Sequence, residues 1–123
     1  MNRKSKGFTL IELVTVIAIL GVLAAMTVPK FFDLQTKAKL ETENMVIGTI
    51  RAGLETYAAN QIVTTGSKTY PVSTTATVLT DILNPKPEGW SYLLGTPGTI
   101  TSDDGNTWDY TSSGGSTYTI TAN

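Results

Sequence analysis

The sequence predicts an α+β fold in which a long N-terminal α-helix, membrane-spanning in its first half, packs on a small C-terminal antiparallel β-sheet of three or four strands. Three observations predict it. Phe8 to Val28 (FTLIELVTVIAILGVLAAMTV) is an apolar run whose only charge is Glu12, long enough to cross a hydrocarbon core as a helix. Apolar residues then recur at helical spacing to about residue 60. The last third alternates aromatic or aliphatic residues with Thr and Asp, the period of half-buried strands.

At 123 residues the chain makes one small domain, divided into a basic leader at 1–7, the apolar helix half at 8–29, an amphipathic half at 30–60 and a globular head at 61–123. Arg3, Lys4 and Lys6 precede the apolar run, and no basic residue follows until Lys30. The positive-inside bias therefore places the amino end in the cytoplasm and the bulk of the chain outside. The run is too long for the core of an ordinary secretory signal.

Within the run, an ionised Glu12 costs roughly 2.5–3.5 kcal/mol at mid-membrane and less near an interface. It needs a partner or a route to the interface; its place near the helix start also gives it the positive end of the helix dipole. Pro29 lacks an N–H and crowds the carbonyl of Ala25, so a kink or local opening is expected there.

Gly7-Phe8-Thr9-Leu10-Ile11-Glu12 resembles the prepilin peptidase site of the type IV pilins and type II secretion pseudopilins. The resemblance implies cleavage of the 1–7 leader after Gly7, N-methylation of Phe8, and retention of the apolar helix as the mature amino terminus. It assigns Glu12 to assembly, neutralising the terminal amine of a neighbouring subunit, and it matches Gly21 and Pro29 to helix-weakening positions. It also implies the pilin fold, a homopolymer formed through the N-terminal helices, and assembly by an inner-membrane platform and ATPase. The precursor would sit in the bacterial inner membrane, held by lipid. The polymer would be an extracellular pilus or, in the alternative, a periplasmic pseudopilus; a single-span membrane protein sharing the leader is a third possibility.

Beyond the membrane, Phe31, Leu34, Ala38 and Met45, then Ile47, Ile50, Leu54 and Tyr57, keep helical spacing. Lys37/Glu41 and Lys39/Glu43 stand at i,i+4 and read as part of a solvated face. Gly48 and Gly53 each cost about 1 kcal/mol relative to Ala in a helix and suggest close packing or tolerated slack. The chain turns loop-like from Gln61 to Ser73, where Tyr70-Pro71 is similar to a pair that many pilins carry after the long helix. Thr77 to Leu83 suits a short helix, ended by Asn84-Pro85-Lys86-Pro87. Trp90, Tyr92 and Leu94, then Trp108 and Tyr110, then Tyr118, Ile120 and Ala122 form the inward sides of strands, with turns at Pro97-Gly98, Asp104-Gly105-Asn106 and Ser113-Gly114-Gly115.

A formal charge of −1 argues against a nucleic-acid binder, and the absence of Cys and His removes disulfides, thiolate chemistry, the usual zinc ligands and the usual near-neutral base. The acidic residues show no catalytic spacing, so a structural role without cofactor is expected rather than an enzyme. Asp103, Asp104, Asn106 and Asp109 offer oxygen ligands, and the pseudopilins to which the chain is similar carry calcium near their carboxyl end. The spacing matches no EF-hand loop, however, and turn chemistry accounts for these residues, so no metal ligand is assigned.

Overall fold

The structure, a computed structural model, describes residues 7–75 and 78–123. The basic residues Arg3, Lys4 and Lys6, and Thr77 at the start of the expected short helix, lie outside the described residues. In chain order the elements are α1 (Leu10–Thr65), α2 (Val78–Ile82), β1 (Ser91–Leu93), β2 (Gly98–Thr101), β3 (Thr107–Thr111) and β4 (Thr119–Ala122). The chain forms two compact units, one ending at Glu41 and the other running from Thr42 to Asn123.

The described part of the first unit is residues 7–9 and the stretch of α1 up to Glu41, and none of these residues is buried. Gly21 and Pro29 both lie within the helix. Its threonines do not add free polarity to the apolar surface. Thr15, Thr27 and Thr36 each donate their hydroxyl to the carbonyl four residues back, Ile11, Leu23 and Phe32, at 2.7, 2.8 and 3.0 Å. A hydroxyl satisfied in this way turns its methyl outward, as suits a helix in lipid.

In the head, the remainder of α1 buries Ile47, Ile50, Leu54 and Ala58, one stripe at spacings of three and four. Tyr57 is half-buried. The earlier series behaves differently, since Phe31, Leu34 and Met45 are all exposed. Glu43 also departs from expectation: it is only 4% exposed rather than on a solvated face. Its carboxylate accepts bonds from Ser102 Oγ at 2.6 Å and from Asn106 Nδ2 at 2.8 and 3.1 Å, which tie the helix to the β2–β3 turn.

The helix runs past the expected residue 60 to Thr65, and the Thr64 and Thr65 hydroxyls bond back to the Asn60 and Gln61 carbonyls. Gly66 then ends it at φ 75°, its N–H donating to Ile62 O at 3.0 Å, which is the left-handed cap that favours glycine. Gly53 has a packing reason: a Cβ there would collide with Ile82 of α2.

The sheet is an antiparallel meander in the order β1-β2-β3-β4. Its register, Tyr92↔Ile100, Ile100↔Trp108 and Tyr110↔Ile120, places these side chains on one face. There they join the helix stripe, Tyr70, Val78, Leu79 and Trp90 in a single core. Trp90 stacks on Trp108 with ring centres 5.5 Å apart, and Tyr110 Oη donates to Pro71 O at 2.7 Å. Leu94 and Ala122, expected to face inward, are exposed, the first lying beyond the end of β1 and the second at the last position of edge strand β4. Arg51 Nη2 donates to Ile120 O at 3.0 Å, covering a carbonyl of that edge strand.

Candidate assembly site

Residues 7–9 precede the helix without regular structure. Around Gly7 no atom of the described residues lies within 4 Å of where a Cβ would stand, and Phe8 is 87% exposed. The Gly7–Phe8 bond thus lies in an exposed segment outside the helix ladder.

Two residues later the helix is started by a reciprocal cap. Thr9 N–H and Thr9 Oγ donate to Glu12 Oε2 at 2.8 and 2.9 Å, while Glu12 N–H donates to Thr9 Oγ at 3.3 Å. Leu13 N–H donates to Thr9 O at 3.2 Å, the first bond of the helix ladder. This is a capping box: Thr9 stands at the N-cap, and Glu12 at the third helical position reaches back to its amide. The carboxylate thus has a partner inside its own chain, near the only free N–H groups the apolar run offers. Thr9 was the site residue not singled out from sequence, although Thr-x-x-Glu at the head of an apolar run is its signature.

The surface beyond the cap is apolar on all sides. Leu10, Ile11, Leu13, Val16, Ile17, Ile19, Leu20, Val22 and Leu23 are between 47% and 80% exposed. This stretch of α1 is long and apolar enough to cross a membrane. Gly21 has no atom within 4 Å of a hypothetical Cβ, so nothing in the chain itself requires a glycine there. Phe8 and Glu12 border one shallow apolar depression together with Ile11, Thr15 and Val16, while Gly21 and Pro29 lie further along the same exposed segment and do not line it.

The acidic hairpin separates into two parts. Asp109 lies on β3 and accepts from Asn123 Nδ2 at 2.9 Å, and Asn106 is turned to Glu43. Asp103 and Asp104 lie instead with Glu43, their carboxylate oxygens within 4.8 Å of one another. Both oxygens of Glu43 accept hydrogen bonds, from Ser102 and Asn106, while Asp103 and Asp104 are exposed beside it.

Residues 2–28 match the family model described as the prokaryotic N-terminal methylation motif. Over 118 residues the chain is 35% identical to the type IV narrow pilus major component PilA5 of Thermus thermophilus, covering 95% of this chain and 87% of that protein. It is 33% identical over 93 residues to the type II secretion system core protein G of Pseudomonas aeruginosa, with 73% and 61% covered. With the fimbrial protein EcpB of Eikenella corrodens it shares 42% identity over 57 residues, 46% of this chain and 36% of that protein. The chain thus spans less than two thirds of the latter two relatives. No solved structure matches it.

Proposed function

We propose that this chain, which belongs to the type IV pilin family, is the precursor of a structural filament subunit, cut after Gly7 by a prepilin peptidase, N-methylated on Phe8 and polymerised through its N-terminal helix. The observation that carries this reading is the pairing of an exposed Gly7–Phe8 bond with a capped helix whose apolar surface is left exposed by the described residues. Each large aliphatic side chain of that surface gains about 1.5–3 kcal/mol on leaving water. Lipid supplies that cover in the precursor, and equivalent helices supply it in a polymer. The two environments are similar in polarity, so transfer between them is nearly balanced and suits assembly by an energy-using inner-membrane platform and ATPase.

Cleavage creates a terminal amine at Phe8, one residue before the cap. Glu12 can then exchange its bonds to Thr9 for a charge-assisted bond to the amine of a neighbouring copy. A buried carboxylate left without a partner is strongly disfavoured, so the pair selects the register in which the two groups meet. Gly21 and Pro29 are the places where α1 yields if the polymer requires it. The role is structural and needs no cofactor; lipid and other copies are the partners, with no specific nucleic acid.

Alignment over nearly the whole of the Thermus pilus component supports a surface pilus reached from the inner membrane. The similarity to secretion core protein G supports the second reading, a periplasmic pseudopilus. Electron microscopy and mass spectrometry of material sheared from cells under native expression separate them. Abundant filaments whose subunit starts at methylated Phe8 are the expected result. Processed subunit held in the inner membrane or periplasm, with no surface filament, would overturn the pilus reading.

A further inference from the structure

Beside the core, one flank of α1 and the short helix α2 border a groove of about 560 Å³. Gly53, Thr56, Tyr57 and Asn60 stand at spacings of three and four and so share one face of α1, with Asp81 and Ile82 of α2 opposite them. The two helices are closest at Gly53, where a Cβ would collide with Ile82 and meet Leu83 at 3.5 Å. From that contact the groove runs along Thr56, Tyr57 and Asn60 and is open to solvent. Its size is that of a small-molecule site, about 300–1,000 Å³.

The lining sets apolar and polar groups side by side. Ile82 supplies methyls, and so does Thr56, whose hydroxyl donates to Ala52 O at 3.0 Å and leaves its methyl outward. Half-buried Tyr57 supplies a ring. The Tyr57 hydroxyl and the Asn60 carboxamide make no hydrogen bond among the described residues, Thr64 using only the main-chain carbonyl of Asn60. Both groups can donate and accept. Asp81 adds an exposed carboxylate. None of the lining residues is basic, and residues 42–123 carry seven acidic side chains against three basic ones. A phosphate or carboxylate ligand is therefore repelled. An amine gains little, because an ion pair with one exposed carboxylate contributes almost nothing in water, and it leaves Tyr57 and Asn60 unaddressed. A sugar answers the whole lining: its ring C–H groups pack on methyls and an aromatic ring, while its hydroxyls bond to carboxylate, carboxamide and phenol.

We propose that the groove between α1 and α2 is a binding site for a neutral saccharide, with Asp81, Asn60 and the Tyr57 hydroxyl taking its hydroxyl groups and Thr56, Ile82 and the Tyr57 ring packing on its C–H face. All of these residues come from one chain, so the site does not depend on the polymer reading. An open groove with few polar contacts holds a single sugar only in the millimolar range. Where the chain polymerises the groove recurs once per subunit, and repeated weak sites hold a polysaccharide far more tightly than one site alone.

The test uses the full chain in a detergent without a sugar headgroup, and saturation-transfer NMR with glucose, galactose, N-acetylglucosamine and their β-linked disaccharides as probes. Transfer to the ring C–H protons of at least one probe is expected, saturating in the millimolar range. Asn60→Ala and Asp81→Asn should each weaken that binding by about two- to tenfold, and Thr121→Ala on the outer sheet face should leave it unchanged. The near-ultraviolet signal of the stacked Trp90–Trp108 pair reports whether each variant keeps its head; Tyr57→Phe, which removes only a hydroxyl, stands in for any variant that loses the signal. No transfer to any probe overturns the proposal. Transfer that survives at the wild-type level in the Asn60→Ala, Asp81→Asn double variant is nonspecific contact and overturns it too. Saturable binding of a diamine such as putrescine, with every sugar ignored, assigns the groove to cations and does the same.

Discussion

Replacing Glu43 by alanine tests whether the buried carboxylate holds the head together or strains it. The side chain is 4% exposed and receives Ser102 Oγ and Asn106 Nδ2 at 2.6 and 2.8 Å. Hydrogen bonds to a charged group contribute about 1.5–3 kcal/mol each, so the loss of both donors costs roughly 3–6 kcal/mol. Against that, Asp103 and Asp104 lie with their carboxylates within 4.8 Å of Glu43. Asp103 and Asp104 are themselves exposed, so relief of repulsion at this distance returns about 1 kcal/mol per pair. The bonds win, and Glu43→Ala should destabilise the head by about 1–4 kcal/mol, lowering its melting midpoint by roughly 4–30 °C. Near-ultraviolet circular dichroism of the full chain in detergent reads this directly, because the stacked Trp90–Trp108 pair reports on the head alone. Glu43→Gln, which keeps an acceptor oxygen and drops the charge, should fall between the two. A Glu43→Ala midpoint within about 3 °C of wild type, or a Glu43→Gln variant more stable than wild type, would refute the reasoning.

The two head glycines should respond in opposite directions: Gly53→Ala drives a Cβ into Ile82 and loses about 1–2 kcal/mol net, whereas Gly48→Ala gains about 1 kcal/mol, and equal shifts in chemical denaturation would contradict this. Burial, followed by the neighbouring Tyr110, pushes the Tyr92 hydroxyl up to about 12. Because this folded value lies above the ordinary 10, the neutral form is favoured on folding, so its stabilising contribution is full below pH 10 and is lost as pH rises from about 10 to about 12. Alkaline melts should therefore show a steeper decline across that window for wild type than for Tyr92→Phe, and matching slopes would exclude Tyr92 as the cause. Glu12→Ala should leave the amount of membrane-held, processed subunit unchanged while reducing filaments at least tenfold; normal filament yield on electron micrographs would remove Glu12 from assembly.

What sequence alone determined was local. The apolar run, the Gly7-Phe8-Thr9-Leu10-Ile11-Glu12 motif, the periods of helix and strand, and the order of turns all depend on residues within a few positions of one another, so the backbone geometry of each element implies them directly. The cap between Thr9 and Glu12 belongs to this class, being a contact across three positions. That the Ile47, Ile50 and Leu54 stripe meets the sheet was legible from its spacing, whereas only the tertiary structure decided that Ala58 completes it, that Tyr57 is half-buried and that Met45 stays outside. It likewise decided that Glu43 is buried, that Gly53 is required and Gly48 is not, and that Arg51 covers the β4 edge. These outcomes join residues far apart in the chain, Glu43 to Ser102 across 59 positions and Arg51 to Ile120 across 69. A helix period states that a face exists, but burial belongs to whichever face the sheet's own shape and hydrogen-bonding groups can cover.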